Sequence, residues 1–270
     1  VLPQGPQGRF TQLAPGESFR FACHPGVPCF NQCCRKLVLW LTPYDVLRLR
    51  QRLGLGSDEF LERYTTTEPG QNGWPLPRLA MESGGEETCP FLTPEGCSVY
   101  EDRPGACRTY PLGRATRGGR AGGPSEEGFF LVKEDHCQGF AEGPEWTARS
   151  WSQDQGLETY TYLNDLFMPL ITRQAPDASS EVIAQKMRMF HLACYKLESF
   201  RRFVLQTRLA SLFEIPAGRL EVLETNDLEL LKFAFQWLGF AIYGDPTLTL
   251  RPEAAAQAQA GMPGSGAPRA

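Results

Sequence analysis

Nine cysteines fall unevenly along the 270-residue chain: eight lie between Cys23 and Cys137, and Cys194 stands alone in the second half. Their spacing is Cys23-x5-Cys29-x3-Cys33-Cys34, then Cys89-x7-Cys97-x9-Cys107, and after a longer insertion Cys137. In a secreted chain such a set would suggest disulfides, whereas in a reducing compartment clustered thiols mean metal or redox chemistry. The leading residues carry no basic–apolar–small leader pattern, and the apolar run Leu37–Leu41 is far too short to span a bilayer. We therefore expect a cytoplasmic protein with no membrane association, and a metal held by thiolates.

Eight thiolates are twice what one tetrahedral zinc or one four-cysteine iron–sulfur cluster needs. Soft sulfur donors select zinc, copper(I) or iron–sulfur centres over magnesium and calcium. Paired short C-x2–4-C knuckles, common in structural zinc sites, are missing, since Cys29-x3-Cys33 has no second such step to match it; this favours an iron–sulfur cluster, of the four-iron–four-sulfur kind, with zinc as the alternative. Adjacent side chains point in different directions, so Cys33 and Cys34 should serve different positions: two centres, two irons of one cluster, or one ligand and one packing thiol. The competing explanation for the whole set is buried structural thiols with occasional redox disulfides.

Composition sets further bounds. A formal net charge of −4 and a pI near 5.6 argue against a nucleic-acid surface, despite the arginine-rich run from Arg103 to Arg120. With 41% hydrophobic residues the chain can build a core without a metal.

Along the chain, residues 1–20 are rich in Pro, Gly and Gln and are expected to form an extended arm. Thr42-Pro43-Tyr44-Asp45 combines an N-cap, a first-turn proline and an early acid; it predicts a helix to about Leu53, stopped by Gly54. Ser57 caps a second helix through Tyr64. The region from Gly70 to Gly128 is loop-rich, with short β-type runs at Arg78–Met81, Ser98–Tyr100 and Phe129–Val132. A metal tying Cys89, Cys97, Cys107 and Cys137 would give it a constraint. Helical periodicity covers Leu157–Ile171, Glu181–Phe213 and Asp227–Ile242, with Pro169 a kink or end point. The expected fold is mainly α with a small irregular β element: a loop-rich cysteine region over 21–145 packed with a helical bundle over 146–250, and a disordered tail over 251–270.

Other residues carry weaker signals. Arg103 and Arg108 bracket Cys107, and a cation there would offset thiolate charge; we assign that cofactor-side role to Arg108 first, against a surface ion pair with Glu101 or Asp102. His24 and His136 sit beside motif cysteines but on other vectors, so a non-ligand role is favoured. His191 and Cys194, and the stripe Phe190, Tyr195, Phe200 and Phe203, read as core. Asp45 reads as a helix-start residue, and Asp154 with Glu158 as a solvated face.

The segments Cys89-Pro90-Phe91-Leu92, Gly96-Cys97-Ser98-Val99-Tyr100, Arg103-Pro104 and Cys107-Arg108-Thr109-Tyr110-Pro111 occur in order after Phe21-x-Cys23, the Cys33–Cys34 pair and Thr42-x-x-Asp45. Together they resemble the CxxCxxCC cysteine-cluster family, the YkgJ-type zinc- or iron-chelating proteins, over roughly Phe21 to Cys137. The first motif departs from the family name, with five and three intervening residues in place of two and two. The resemblance implies a metal-binding domain and assigns it no reaction; we expect a structural or interaction role, with an unknown protein partner, ahead of a redox role. A related cysteine motif in flagellin lysine methylases supplies the alternative, a protein-modifying transferase with a structural cluster. Against it, Gly118–Gly119 and Gly122–Gly123 follow no strand of the kind a dinucleotide-type loop needs.

Overall fold

The computed structural model describes residues 9–117, 126–174 and 179–260. The chain divides into two compact units. The first comprises residues 1–55, 59–67 and 77–164; the second comprises 56–58, 68–76 and 165–270. Helix is the dominant regular structure among the described residues, with strands confined to small sheets.

In the first unit, β1 (Arg9–Leu13) and β2 (Ser18–Arg20) form from the arm. Helix α1 (Pro43–Leu53) has the boundaries its local sequence dictates. Thr42 and Asp45 make a reciprocal capping box, Pro43 fills the first turn, and Gly54 ends the helix in the left-handed region at φ 68°. Helix α2 (Ser57–Tyr64) leads into the hairpin β3 (Thr65–Pro69) and β4 (Pro75–Leu79). Next come the two-residue strands β5 (Leu92–Thr93) and β6 (Gly96–Cys97), the short helix α3 (Gly105–Thr109), and then β7 (Leu112–Arg117) and β8 (Glu126–Lys133). After these follow β9 (Glu145–Thr147) and α4 (Ala148–Asp154).

Strand β8 is the centre of an antiparallel sheet of order β1-β8-β7, with Phe10 opposite Val132 and Leu112 opposite Leu131. Strand β2 pairs β9, with Phe19 opposite Trp146. Alternate strand residues share a face, so Leu13, Phe19, Leu112 and Leu131 meet Phe21 and Trp151 in one buried cluster, with Tyr110, Phe140, Trp146 and Cys137 packed against it.

The second unit is helical: the C-terminal part of α5 (Glu158–Thr172), α6 (Ser180–Tyr195), α7 (Leu197–Gln206), α8 (Leu209–Leu212), α9 (Arg219–Thr225), α10 (Asp227–Tyr243) and α11 (Pro252–Ala260). Helix α10 is apolar around most of its circumference and packs against α6, α7 and α9. Phe190, Phe200, Phe233 and Leu230 are fully buried.

Several expectations need correction. The run Glu181–Phe213 is broken twice, at Lys196, whose backbone leaves the helical region (φ −117°, ψ 63°), and at Thr207. No Gly or Pro marks either break, and the apolar period continues across both. The Ser98–Tyr100 strand is displaced: pairing stops at Cys97, the Ser98 N–H donates to the Phe91 carbonyl at 2.9 Å, and Tyr100–Asp102 form a 3-10 turn. Pro169 lies inside α5, which continues to Thr172. Pro252–Ala260, within the stretch expected to be disordered, is helical, as its Ala and Gln content and leading proline allow; residues 261–270 lie outside the described residues. The Gly118–Gly119 and Gly122–Gly123 pairs also lie outside them. No described helix is long and apolar enough to cross a membrane.

Candidate metal centre

All eight clustered cysteines belong to the first unit, and Cys194 belongs to the second, fully buried in α6. Four stretches of chain deliver the eight thiols.

The first stretch begins where β2 ends. Phe21 is buried and meets Tyr110, Phe140 and Trp151 edge-on, which anchors the residue two before Cys23. The Ala22 N–H donates to the Gly139 carbonyl at 2.9 Å, laying the Cys23 segment along the Cys137 loop. That approach demands glycine: a Cβ on Gly139 would come within 2.6 Å of the Ala22 carbonyl oxygen, and one on Gly143 within 2.9 Å of the Ala22 nitrogen. A tight turn over His24–Phe30, pinned by buried Val27, then places Cys29, whose Sγ accepts from the Gln138 N–H at 3.1 Å.

Cys33 and Cys34 occupy a single 3-10 turn, Gln32–Cys34, entered through Asn31 in the left-handed region. Successive side chains of such a turn are about 120° apart, yet the Cys33 and Cys34 side chains are in hydrogen-bonding contact. The Cys34 carbonyl accepts from the Cys89 N–H at 2.8 Å, which brings in the second stretch. From Cys89 the chain folds into the β5–β6 hairpin, where Leu92 faces Cys97. Gly96 takes φ +128°, and the Phe30 ring sits 3.3 Å from where a Cβ would stand.

The third stretch is α3, carrying Cys107. Its first N–H, from Gly105, donates to the buried Asp45 Oδ1 at 2.7 Å, while Asp45 Oδ2 accepts from the Thr42 N–H at 2.8 Å. One carboxylate thereby caps α1 and fastens the cysteine-bearing helix. Burial pushes the Asp45 carboxyl above its ordinary range, opposed by the Gly105 and Thr42 hydrogen bonds and by Arg108. The fourth stretch is the turn Glu134–Cys137, closed by the Cys137 N–H on the Glu134 carbonyl at 2.9 Å.

The thiols crowd one another. Burial raises Cys23 to about 11, with Cys33, Cys29 and Cys137 adding to the rise. Cys89 also reaches about 11, through burial and then Cys97 among its neighbours. The Cys33 thiol is raised first by its hydrogen-bonding contact with Cys34 and then by burial. Burial leads for Cys97, Cys107 and Cys137 as well. The residue surface of Cys107 is exposed, so solvent screens part of the effect there. Burial first, and then neighbouring sulfurs, disfavours the thiolate at Cys23, Cys89 and Cys107.

Arg108 and Arg103 take different places from those their spacing suggested. Arg108 donates to the carbonyls of Gln155, at 2.7 Å, and Glu101, and lies over the Tyr160 ring, on the Asp45 side of α3. Arg103 is the arginine whose charge reaches Cys97 and Cys23, where it opposes part of the rise that burial causes. It is buried, donates to the Tyr100 carbonyl and to Gln155 Oε1, and stacks 3.7 Å over Tyr100. Asp102 is taken instead by Arg48 and Arg52. His24 Nδ1 accepts from the Gly26 N–H, and His136 Nε2 lies 3.5 Å from Glu134. Tyr110, which nothing in the sequence singled out beyond its place in the motif, has its hydroxyl beside Cys137.

Residues 22–144 match the family model CxxCxxCC, described as a "putative zinc- or iron-chelating domain". This segment is a CxxCxxCC domain. The match begins one residue before Cys23 and ends after Cys137, so it encloses the whole clustered set. No curated protein and no solved structure matches the chain. Among the described residues no group of three or more His, Cys, Asp or Glu side chains is already arranged to hold a metal ion. The fit of the domain to zinc or iron rests on its donors: soft thiols only, converging from four stretches, with the two nearest imidazoles engaged elsewhere.

Proposed function

We propose that the CxxCxxCC domain of this chain chelates metal through the clustered cysteines and uses the centre to organise its loop-rich region, for docking a protein partner or for electron transfer. The supporting observation is the convergence of Cys23, Cys29, Cys33, Cys34, Cys89, Cys97, Cys107 and Cys137 in one compact unit. We favour a four-iron–four-sulfur cluster over zinc, on the all-sulfur donor set and the lack of a second short knuckle to pair with Cys29-x3-Cys33. An iron–sulfur centre would supply one-electron chemistry, whereas zinc would supply a cross-link.

The chain's own residues set the conditions of loading. Thiols held neutral at pH 7 must release their protons to become ligands, so binding weakens as pH falls. Arg103, buried beside Cys97 and Cys107, offsets part of the negative charge that thiolates accumulate.

Anaerobic purification followed by metal analysis and absorption spectroscopy tests the assignment. Bound iron with visible absorbance that bleaches reversibly on reduction is expected. Colourless protein with stoichiometric zinc overturns the iron–sulfur choice, and protein with no bound metal under either condition overturns chelation.

A further inference from the structure

Just after the Cys33–Cys34 turn, the stretch Leu37-Val38-Leu39-Trp40-Leu41 lies alongside β4. The Leu41 N–H donates to the Pro77 carbonyl and the Leu79 N–H to the Leu39 carbonyl, both at 2.9 Å, with Trp40 opposite Arg78. In an antiparallel pairing, alternate residues turn their backbone groups to opposite edges. Leu39 and Leu41 face β4, so the N–H and C=O of Val38 and Trp40 point away from it. No described residue hydrogen-bonds to those groups. The side chains alternate as well: Leu39 and Leu41 are buried, whereas Val38 is 67% exposed and Trp40 37%. An open edge and an apolar outer face coincide.

Native sheet edges are usually blunted by a charge, a proline or a bulge. Strand β3, on the other side of β4, reads Thr65-Thr66-Thr67-Glu68-Pro69 and carries both a charge and a proline. Residues 37–41 carry neither, and offer what a further strand needs: free backbone groups and an apolar face. The limits of the edge say which strand fits. Lys36 turns into the left-handed region at φ 54°, and Thr42 caps α1, so Leu39 is the midpoint. A two-fold axis through Leu39 sets Val38 of one copy opposite Trp40 of the other in the hydrogen-bonded register, where every free N–H and C=O of the two residues finds its complement. Each Trp40 then lies against a Val38 on the exposed face, a favourable aromatic–β-branched pair, and no like charges stand opposite each other. A register centred one residue to either side pairs Trp40 with Lys36 or Val38 with Thr42, beyond the ends of the edge.

We infer that this edge is a self-association surface, at which two copies of the chain pair antiparallel through residues 37–41. The inference goes beyond the chelation reading and does not depend on it.

Sedimentation of the full chain, purified anaerobically with the metal it retains, provides the test. Between about 1 μM and about 1 mM, where small interfaces bind, the mass should rise from one chain to two. The double variants Val38→Lys/Trp40→Lys and Val38→Asp/Trp40→Asp set like charges opposite each other and should each stay monomeric. Mixed, they should pair, since opposite charges then meet across the axis; this rescue separates lost pairing from lost folding. Hydrogen exchange at the Val38 and Trp40 amides should slow as wild-type concentration rises, while that of Leu41, already bonded to Pro77, stays constant. A wild-type monomer at every concentration overturns self-pairing and leaves the edge to a strand of another protein. A dimer that survives either double variant, variants that stay apart when mixed, or Val38 and Trp40 amides that exchange alike in monomer and dimer also overturn it.

Discussion

The Asp45 carboxylate accepts from the Thr42 N–H with one oxygen and from the Gly105 N–H with the other. Its place at a helix start was legible from Thr42-Pro43-Tyr44-Asp45; its reach of sixty residues to Gly105 was not, because no local pattern encodes it. Removing it strands a buried donor at the first turn of α3, a loss of about 1–3 kcal/mol. Asp45→Ala should therefore lower the urea midpoint and, in metal-free protein, speed alkylation of Cys107 relative to Cys89. Equal labelling rates in the two proteins would mean that α3 is fixed by other contacts. Arg103 and Arg108 teach a related lesson: both flank Cys107 in sequence, and partners distant in sequence, Gln155 and Tyr160 among them, hold Arg108 on the Asp45 side while Arg103 faces the thiols. The thiols also carry a pH signature. Cys89 is raised to about 11, against about 8.5 in an unfolded chain, so between those values the folded metal-free protein holds more protons than the unfolded one. Stability of metal-free protein should fall as pH rises from about 9 to about 11, measured by denaturant midpoints. Metal-loaded protein, its thiolates already ionised, should show a smaller fall; identical profiles would contradict thiolate ligation.

Elements with local punctuation were readable, and those made by distant partners were not. Helix α1 follows directly from its cap, its proline and Gly54. Strands β1 and β2 were legible only as an extended arm, because their partners β8 and β9 lie more than a hundred residues away. The breaks that separate α6, α7 and α8 carry no glycine or proline, so periodicity ran through them. Close contact between the Cys23 and Cys137 segments depends on Gly139, which has no room for a side chain against Ala22 and Phe21. Gly139→Ala should separate the two segments and destabilise the protein by about 1–3 kcal/mol, as overpacking does elsewhere. In metal-loaded protein it should expose Cys23 and Cys29 to alkylation while leaving Cys97 protected. Unchanged protection at Cys23 would show that the loop adjusts at no consequence to the site.

At the scale of the molecule, the cysteine count and its confinement to the first half identified the part of the chain that carries the chemistry, and both the compact first unit and the family match agree with that limit. Which cysteine-bearing loops lie side by side was hidden, since it depends on backbone hydrogen bonds such as Ala22 to Gly139 and Cys89 to Cys34. The second unit has a core of its own apart from the clustered cysteines: Phe190, Phe200, Leu230 and Phe233 are fully buried, and so is Cys194. Metal removal should therefore act on the first unit. Mass-spectrometric alkylation of the native, metal-loaded protein, with and without chelator, tests the central claim most directly. The clustered thiols should be protected until chelator is added, and Cys194 should react only on unfolding. Equal and rapid labelling of all eight clustered thiols, whether or not chelator is present, would contradict it.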